Sequence, residues 1–304
     1  MDGNRNGKDS PGGRGIWIVA ACVCAACFLG CVIWLFSYME NNRQAQDSME
    51  TLRQEYAAAE SEEQPPDAVE QDGTGPGESE ETENTPEPTP EPSPLQGYDI
   101  PDRNVDITAM QENENPDIYA WITVPGTQID YPVLQHPKQL DYYLDHNVDR
   151  SSGYPGCIYS QYVNSLEWDD PNTVLYGHNM KNGSMFAGLH LYEDPDFLEE
   201  NPYVYIFTQR YVRVYHIFGA YEYDNRHLLL TGDMWDAEVF ADYLEEIKGL
   251  DGMRDNFLKD VPVSAKDKVL TLETCVSHKP ERRYIVQAVL EAEGVWPEGT
   301  AENP

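Results

Sequence analysis

The sequence predicts a mainly β fold: a closed eight-stranded barrel with short N-terminal helices and one helix inserted late, all preceded by an apolar segment. Three observations carry this reading. Eight short runs rich in β-branched, aromatic and aliphatic residues lie between residues 120 and 291, and turn signals such as Pro125-Gly126 and Pro171-Asn172 separate several of them. One later segment, Ala237–Gly249, places Val239, Phe240, Tyr243, Leu244 and Ile247 at helical spacing. Near the start, Ile16–Phe36 runs for 21 residues without a charge. Many short strands with one shared core close most simply into a barrel, which leaves no unpaired edge.

From the N-terminus, residues 1–15 read as a cytoplasmic tail and 16–38 as a transmembrane anchor. At ~1.5 Å rise per residue the apolar run spans the ~30 Å hydrocarbon core of a bilayer. Arg5, Lys8 and Arg14 precede it and Glu40 follows, so the positive-inside rule places the later chain outside the cell. A cleavable signal peptide is the rival reading. It calls for an apolar core of ~7–15 residues and a small-residue cleavage site, whereas Trp34, Leu35, Phe36 and Tyr38 stand at the end of this run.

Residues 39–98 form an acidic linker rich in Pro, Glu and Thr. Its first part, 40–55, is polar and could extend the membrane helix for a few turns. Further on, Thr85-Pro86-Glu87-Pro88-Thr89-Pro90 marks a stretch without apolar periodicity, which cannot bury enough surface to fold. Such a segment acts as a spacer, with proline runs extended at ~3.1 Å per residue.

The remaining domain, 99–292, carries the strand-like runs Ala120–Val124, Gln128–Leu134, Cys157–Ser160, Thr173–Tyr176, Tyr203–Thr208, Tyr211–Tyr221, Lys268–Glu273 and Tyr284–Glu291. Weaker helical signals cover Thr108–Ala120 and Gln139–Leu144. Residues 293–304 read as a C-terminal tail.

Charge and cysteine content narrow the function. The formal net charge of -34 excludes phosphate-backbone binding, which needs clustered Lys and Arg, so no nucleic-acid partner is expected. Of six cysteines, Cys22, Cys24, Cys27 and Cys31 lie in the apolar segment as small packing residues. Only Cys157 and Cys275 lie outside it, and no disulfide framework is implied. No paired C-x-x-C or H-x-x-H spacing outside the membrane segment supplies a metal site, and no cofactor is expected.

The chemistry concentrates in three places. The pentapeptide Thr271-Leu272-Glu273-Thr274-Cys275 ends one β-like run, and Arg283 opens the next, Tyr284–Leu290. If the two strands pair, thiol and guanidinium face one site. Upstream, Thr173–Tyr176 runs into Gly177-His178-Asn179-Met180, which puts His178 on a loop leaving a strand end. Cysteine, histidine and arginine together suit covalent acyl transfer: a thiolate attacks, an imidazole moves protons and a fixed cation balances the oxyanion. Arg282 is the rival to Arg283, and His278, three residues after Cys275, is a rival base. Cys157 and His216 read as structural, and most of the remaining histidines, apart from His178, as solvated.

These residues resemble the sortases, and within them class B. The Thr-Leu-x-Thr-Cys pentapeptide is similar to the family's nucleophile signature, and Tyr176–Phe186 to the class B histidine segment. Asn115–Ile122, Ile129–Val133 and Asp141–Leu144 are also similar to class B stretches. The resemblance implies a sortase-type barrel with Cys275 as nucleophile, His178 as acid, and Arg283 rather than Arg282 as the oxyanion cation, since the class B arginine directly precedes the apolar run of the last strand. It implies transpeptidation: cleavage of a sorting-signal peptide of exported proteins and transfer to an amine of a peptidoglycan precursor or a pilin, at the membrane of a Gram-positive-type surface. Glu273, where class B sequences often carry Ser, and Val276 depart from the pattern, so the resemblance does not extend to one sorting motif. Two other readings remain: a cysteine peptidase releasing its acyl group to water, and a non-catalytic surface-binding module with an inert Cys275.

Overall fold

The computed structural model describes residues 12–56, 93–103 and 105–295, with side chains from residue 18 onward. Most of the expected linker (57–92) and most of the C-terminal tail (296–304) lie outside the described residues. The chain divides into two compact units, the second beginning at Met49.

Helix α1 (Gly12–Tyr56) lies in the first unit as far as Ser48 and contains a stretch of mean hydropathy 2.7, long and apolar enough to cross a membrane. Cys22, Cys24, Cys27 and Cys31 are exposed on it. The helix continues through the polar residues after Met39, where a pair at i,i+3 spacing, Arg43–Glu40 at 2.8 Å, supports it.

The second unit is the barrel. Its strands are β1 (Ile118–Thr123), β2 (Asp130–Gln135), β3 (Ile158–Ser160), β4 (Asn172–Tyr176), β5 (Tyr203–Phe207), β6 (Tyr211–Asp224), β7 (Asn256–Phe257), β8 (Val269–Val276) and β9 (Lys279–Val295). The order β5-β1-β2-β3-β4-β8-β9-β6 closes through a β5–β6 pairing, giving eight strands in a ring, with the two-residue β7 attached to β6. Pairs β2–β3 and β4–β8 are parallel and the rest antiparallel. The expected eight-stranded barrel is thus present.

Alternation along the strands sorts the side chains. Ile122, Val133, Ile158, Leu175, Ile206, Ile217, Leu270, Leu272, Val286 and Ala288 fill the central core. On the outside, Trp121, Leu134, Phe207 and Val212 pack with Met49, Leu52 and Tyr56 from the end of α1 and with Ile107 and Met110 of α2 (Ile107–Asn113). The helical signal of Thr108–Ala120 therefore stops early: α2 ends at Asn113, and Ile118 onward is strand, because Trp121 and Ile122 must face opposite sides of the sheet.

Two short helices follow the later loops, α3 (Pro195–Glu200) and α4 (Leu228–Thr231). Helix α5 (Ala237–Lys248) starts where the Asp236 carboxylate accepts from the Glu238 and Val239 backbone N–H groups. It buries Phe240, Tyr243, Leu244 and Ile247 against Phe218, Tyr221 and Ile285, each side chain contributing about 1.5–3 kcal/mol. Val239, expected on the same face, is 38 % exposed, since it lies in the first turn at the edge of the apolar stripe.

Candidate active site

Strands β4 and β8 run parallel with Tyr176 opposite Glu273, so both point their C-terminal ends at one place. Two bonds extend the pairing past β4: the Gly177 N–H donates to Glu273 O (3.2 Å), and Thr274 Oγ1 donates to Gly177 O (2.8 Å). His178 and Cys275 each lie two residues beyond the last registered pair, at the ends of adjacent strands. Glycine is required between Tyr176 and His178, because a Cβ there would sit 2.5 Å from Ile158 Cδ1 and 2.7 Å from Phe186 Cγ.

The cysteine and the arginine are cross-strand partners, Cys275 opposite Arg283 in the β8–β9 hairpin. The expectation that Cys275 closes a strand and Arg283 opens one needs refinement: β8 runs on to Val276 and β9 begins at Lys279, joined through Ser277 and His278. The register jumps from Cys275–Arg283 to Val276–Lys279, which leaves Pro280, Glu281 and Arg282 as a bulge in β9. Cys275 is exposed between the buried Thr274 and Val276. Cys157 is buried at 1 % exposure, and burial pushes its thiol well above the usual range.

His178 is held on two sides. Its Nε2 lies 2.7 Å from Leu144 O, which can only accept, so Nε2 carries the hydrogen and Nδ1 accepts from the Tyr154 hydroxyl at 3.2 Å. The ring also stacks on Tyr154 with centroids 4.4 Å apart. Burial lowers the His178 pKa, against the opposing influence of Leu144 O and Asp145.

The two adjacent arginines differ in commitment. Arg282 donates to Glu222 Oε1 at 2.9 Å, and Lys279 shares the same carboxylate. Arg283 lies across from Cys275, with Nη1 donating to Pro280 O (2.9 Å) and Arg282 O (3.0 Å) and Nε 3.3 Å from Glu273 Oε1. His278 sits at the hairpin turn, exposed, with φ 64°.

Asn179, a residue to which the sequence assigns no role of its own, holds the Cys275 backbone, and His190 lies beside it. The Cys275 carbonyl lies 2.9 Å from Asn179 Nδ2 and 3.1 Å from His190 Nε2. His190 Nδ1 faces Glu193 Oε1 at 2.8 Å, and because that carboxylate only accepts, Nδ1 carries the hydrogen. Asn179 then gives one amide hydrogen to His190 Nε2 (2.9 Å) and the other to Cys275 O. His190 also stacks on Tyr284 at 4.8 Å, so it is not solvated as expected. The one available signal was the His190–Glu193 spacing of three residues. Asn179→Ala removes a donor from Cys275 O and is expected to destabilise the domain by about 0.5–1.5 kcal/mol, read as a lower urea midpoint with unchanged slope. Among the described residues no three His, Cys, Asp or Glu side chains cluster to hold a metal ion.

A closed barrel presenting a cysteine opposite an arginine, with a histidine at the neighbouring strand end, defines a thiol-dependent acyl-transfer enzyme. A family model for the sortase domain matches residues 122–291. The chain belongs to the sortase family of cysteine transpeptidases, in class B. It is 38 % identical over 181 residues to sortase B of Listeria monocytogenes, covering 58 % of this chain and 70 % of that protein. Among solved structures it is similar to a Staphylococcus aureus sortase B–substrate complex, with TM-score 0.54 and 27 % identity over 60 % of this chain and 83 % of that one. It is also similar to a sortase B complexed with Gly3, with TM-score 0.53 and 28 % identity over 60 % of this chain and 84 % of the other.

Proposed function

We propose that this chain is a membrane-anchored transpeptidase that cleaves a sorting signal of exported proteins and joins it to a cell-surface amine. The observation that carries this is the Cys275–Arg283 register across β8 and β9, with His178 at the end of the adjoining parallel strand. Cys275, as thiolate, attacks the scissile carbonyl and forms a thioacyl-enzyme. Arg283 meets the developing oxyanion, and its planar, permanently charged fork suits that task. His178 passes a proton from Nδ1, the nitrogen not committed to Leu144, to the leaving amine. An incoming amine then attacks the thioester and gives its proton to His178 Nδ1, which regenerates the thiolate and the imidazolium.

The relatives support each half of the cycle: one solved neighbour is a sortase B–substrate complex and another holds Gly3. The amine would come from a peptidoglycan precursor or a pilin. The apolar stretch of α1 would anchor the chain, with residues 1–15 in the cytoplasm and 99–292 as the catalytic domain outside. The acidic segment to residue 98 would hold that domain off the membrane.

The test is a peptide library incubated with the full chain in detergent micelles, with and without triglycine. The expected product is a new amide to triglycine that depends on Cys275. Hydrolysed peptide alone, in equal amount with and without triglycine, would assign the chain to peptidases that release to water.

A further inference from the structure

The position two residues before the nucleophile carries a carboxylate aimed at the catalytic arginine. Side chains alternate along β8, so Thr271, Glu273 and Cys275 share the outer face of the barrel. Thr271 belongs to a buried polar chain with Asn172 and Gln287. Glu273 is only 8 % exposed, and a carboxylate that buried needs a partner. The residues facing it are Tyr159 of β3, Tyr176 of β4, Asp141 before the 3₁₀ turn Tyr142–Leu144, Tyr243 of α5 and Arg283 of β9. Arg283 is the one cation in that set.

Arg283 is tied at two of its three nitrogens. Nε faces Glu273 Oε1 at 3.3 Å, and Nη1 is held by the Pro280 and Arg282 carbonyls of the β9 bulge. Nη2 makes no hydrogen bond among the described residues. Building on the transpeptidase reading above, we propose that Glu273 is the positioning residue for Arg283, its carboxylate fixing Nε so that Nη2 is presented to the carbonyl oxygen of the peptide that Cys275 attacks. Without it, the long side chain pivots about the Nη1 contacts, and small misplacements of a charge-stabilising group are costly in rate.

Burial pushes the Glu273 carboxyl up to about 7, with Asp141 adding to the rise and Arg283 opposing it. The anchoring carboxylate therefore forms as pH rises through neutrality. Tyr159, Tyr176 and Tyr243 are all pushed upward by burial and stay neutral across that window.

Two small probes separate this role from simple thiol reactivity. p-Nitrophenyl acetate acylates Cys275 through a tetrahedral oxyanion and expels p-nitrophenolate. Iodoacetamide alkylates the same sulfur by displacing iodide, with no oxyanion. The ratio of the two rates, followed at Cys275 by mass spectrometry on the full chain in micelles, reports oxyanion stabilisation apart from thiolate reactivity. In the wild type the ratio should climb as pH rises through about 7. In Glu273→Gln it should be flat with pH and lower at pH 8 by about tenfold or more. In an Arg283→Lys background, Glu273→Gln should cost nothing further, since residues acting through one group are not additive. An unchanged ratio in Glu273→Gln, or losses that multiply independently, overturns the proposal while leaving the transpeptidase reading intact. A wild type that is alkylated but never acylated removes the transpeptidase reading, and this inference with it.

Discussion

Cys275→Ala should abolish thioacyl-enzyme formation outright, while His178→Ala slows acylation by an amide substrate about 10²–10⁴-fold. The two losses differ in kind. In the proposed cycle the sulfur forms the covalent bond, so nothing would replace it. The imidazole would supply a proton, and water can do that slowly. The geometry of His178 sharpens this expectation. Its Nε2 is committed to Leu144 O, and Nδ1 of the neutral ring accepts from the Tyr154 hydroxyl, so Nδ1, once protonated, must exchange that contact for the leaving group. Burial lowers its pKa, so the imidazolium is a minority form at neutral pH and is a stronger acid when it forms. An activated ester, whose p-nitrophenolate leaves without a proton, should be far less sensitive to His178→Ala than an amide. Acid-quenched single-turnover measurements with both substrates decide the matter, and an equal loss on amide and ester would remove His178 from the acid role. Arg283→Ala should lower both rates by about 10²–10³-fold, because both reactions pass through an oxyanion.

Glu273→Gln should stabilise the folded domain at pH 8 by on the order of 3 kcal/mol while impairing acylation. The carboxyl is raised from its ordinary 4.5 to about 7, and each pKa unit corresponds to ~1.4 kcal/mol between folded and unfolded states. The sign follows from proton uptake. The folded state holds this proton more tightly than the unfolded chain, so the stability tied to it is full below pH ~4.5 and is lost as pH rises through about 7. Glutamine keeps the shape of the protonated acid and does not titrate. The difference in melting temperature between variant and wild type should be near zero at pH 4.5, grow to pH 7 and level off above it. A constant difference across that range would show that Glu273 ionises as an ordinary surface acid. A substitution that stabilises the fold and slows the reaction is the mark of a group retained for function at a cost in stability.

The relation between sequence and structure can be read off particular residues. The pentapeptide ending at Cys275, the Gly177-His178 step and the apolar run after Arg283 are local features, and each was legible because short-range chemistry dictates it. The strands were legible for the same reason: alternation of period two survives in any sheet that has a core on one side. Val239 and the Thr108–Ala120 segment show the limit of such reasoning, since helical spacing says nothing about where a stripe runs out or where a strand takes over.

By itself the sequence determined the apolar segment, the barrel and the family likeness, because these rest on residue type and local period. Only the tertiary structure decided that Arg282 turns to Glu222 while Arg283 faces Glu273, and that Asn179 donates to both the Cys275 carbonyl and His190. Those contacts depend on the β8–β9 register and its bulge, and on loops brought together from some ninety residues apart. Hydrogen bonds formed across such separations are set when the barrel closes, and no window of neighbouring residues encodes them.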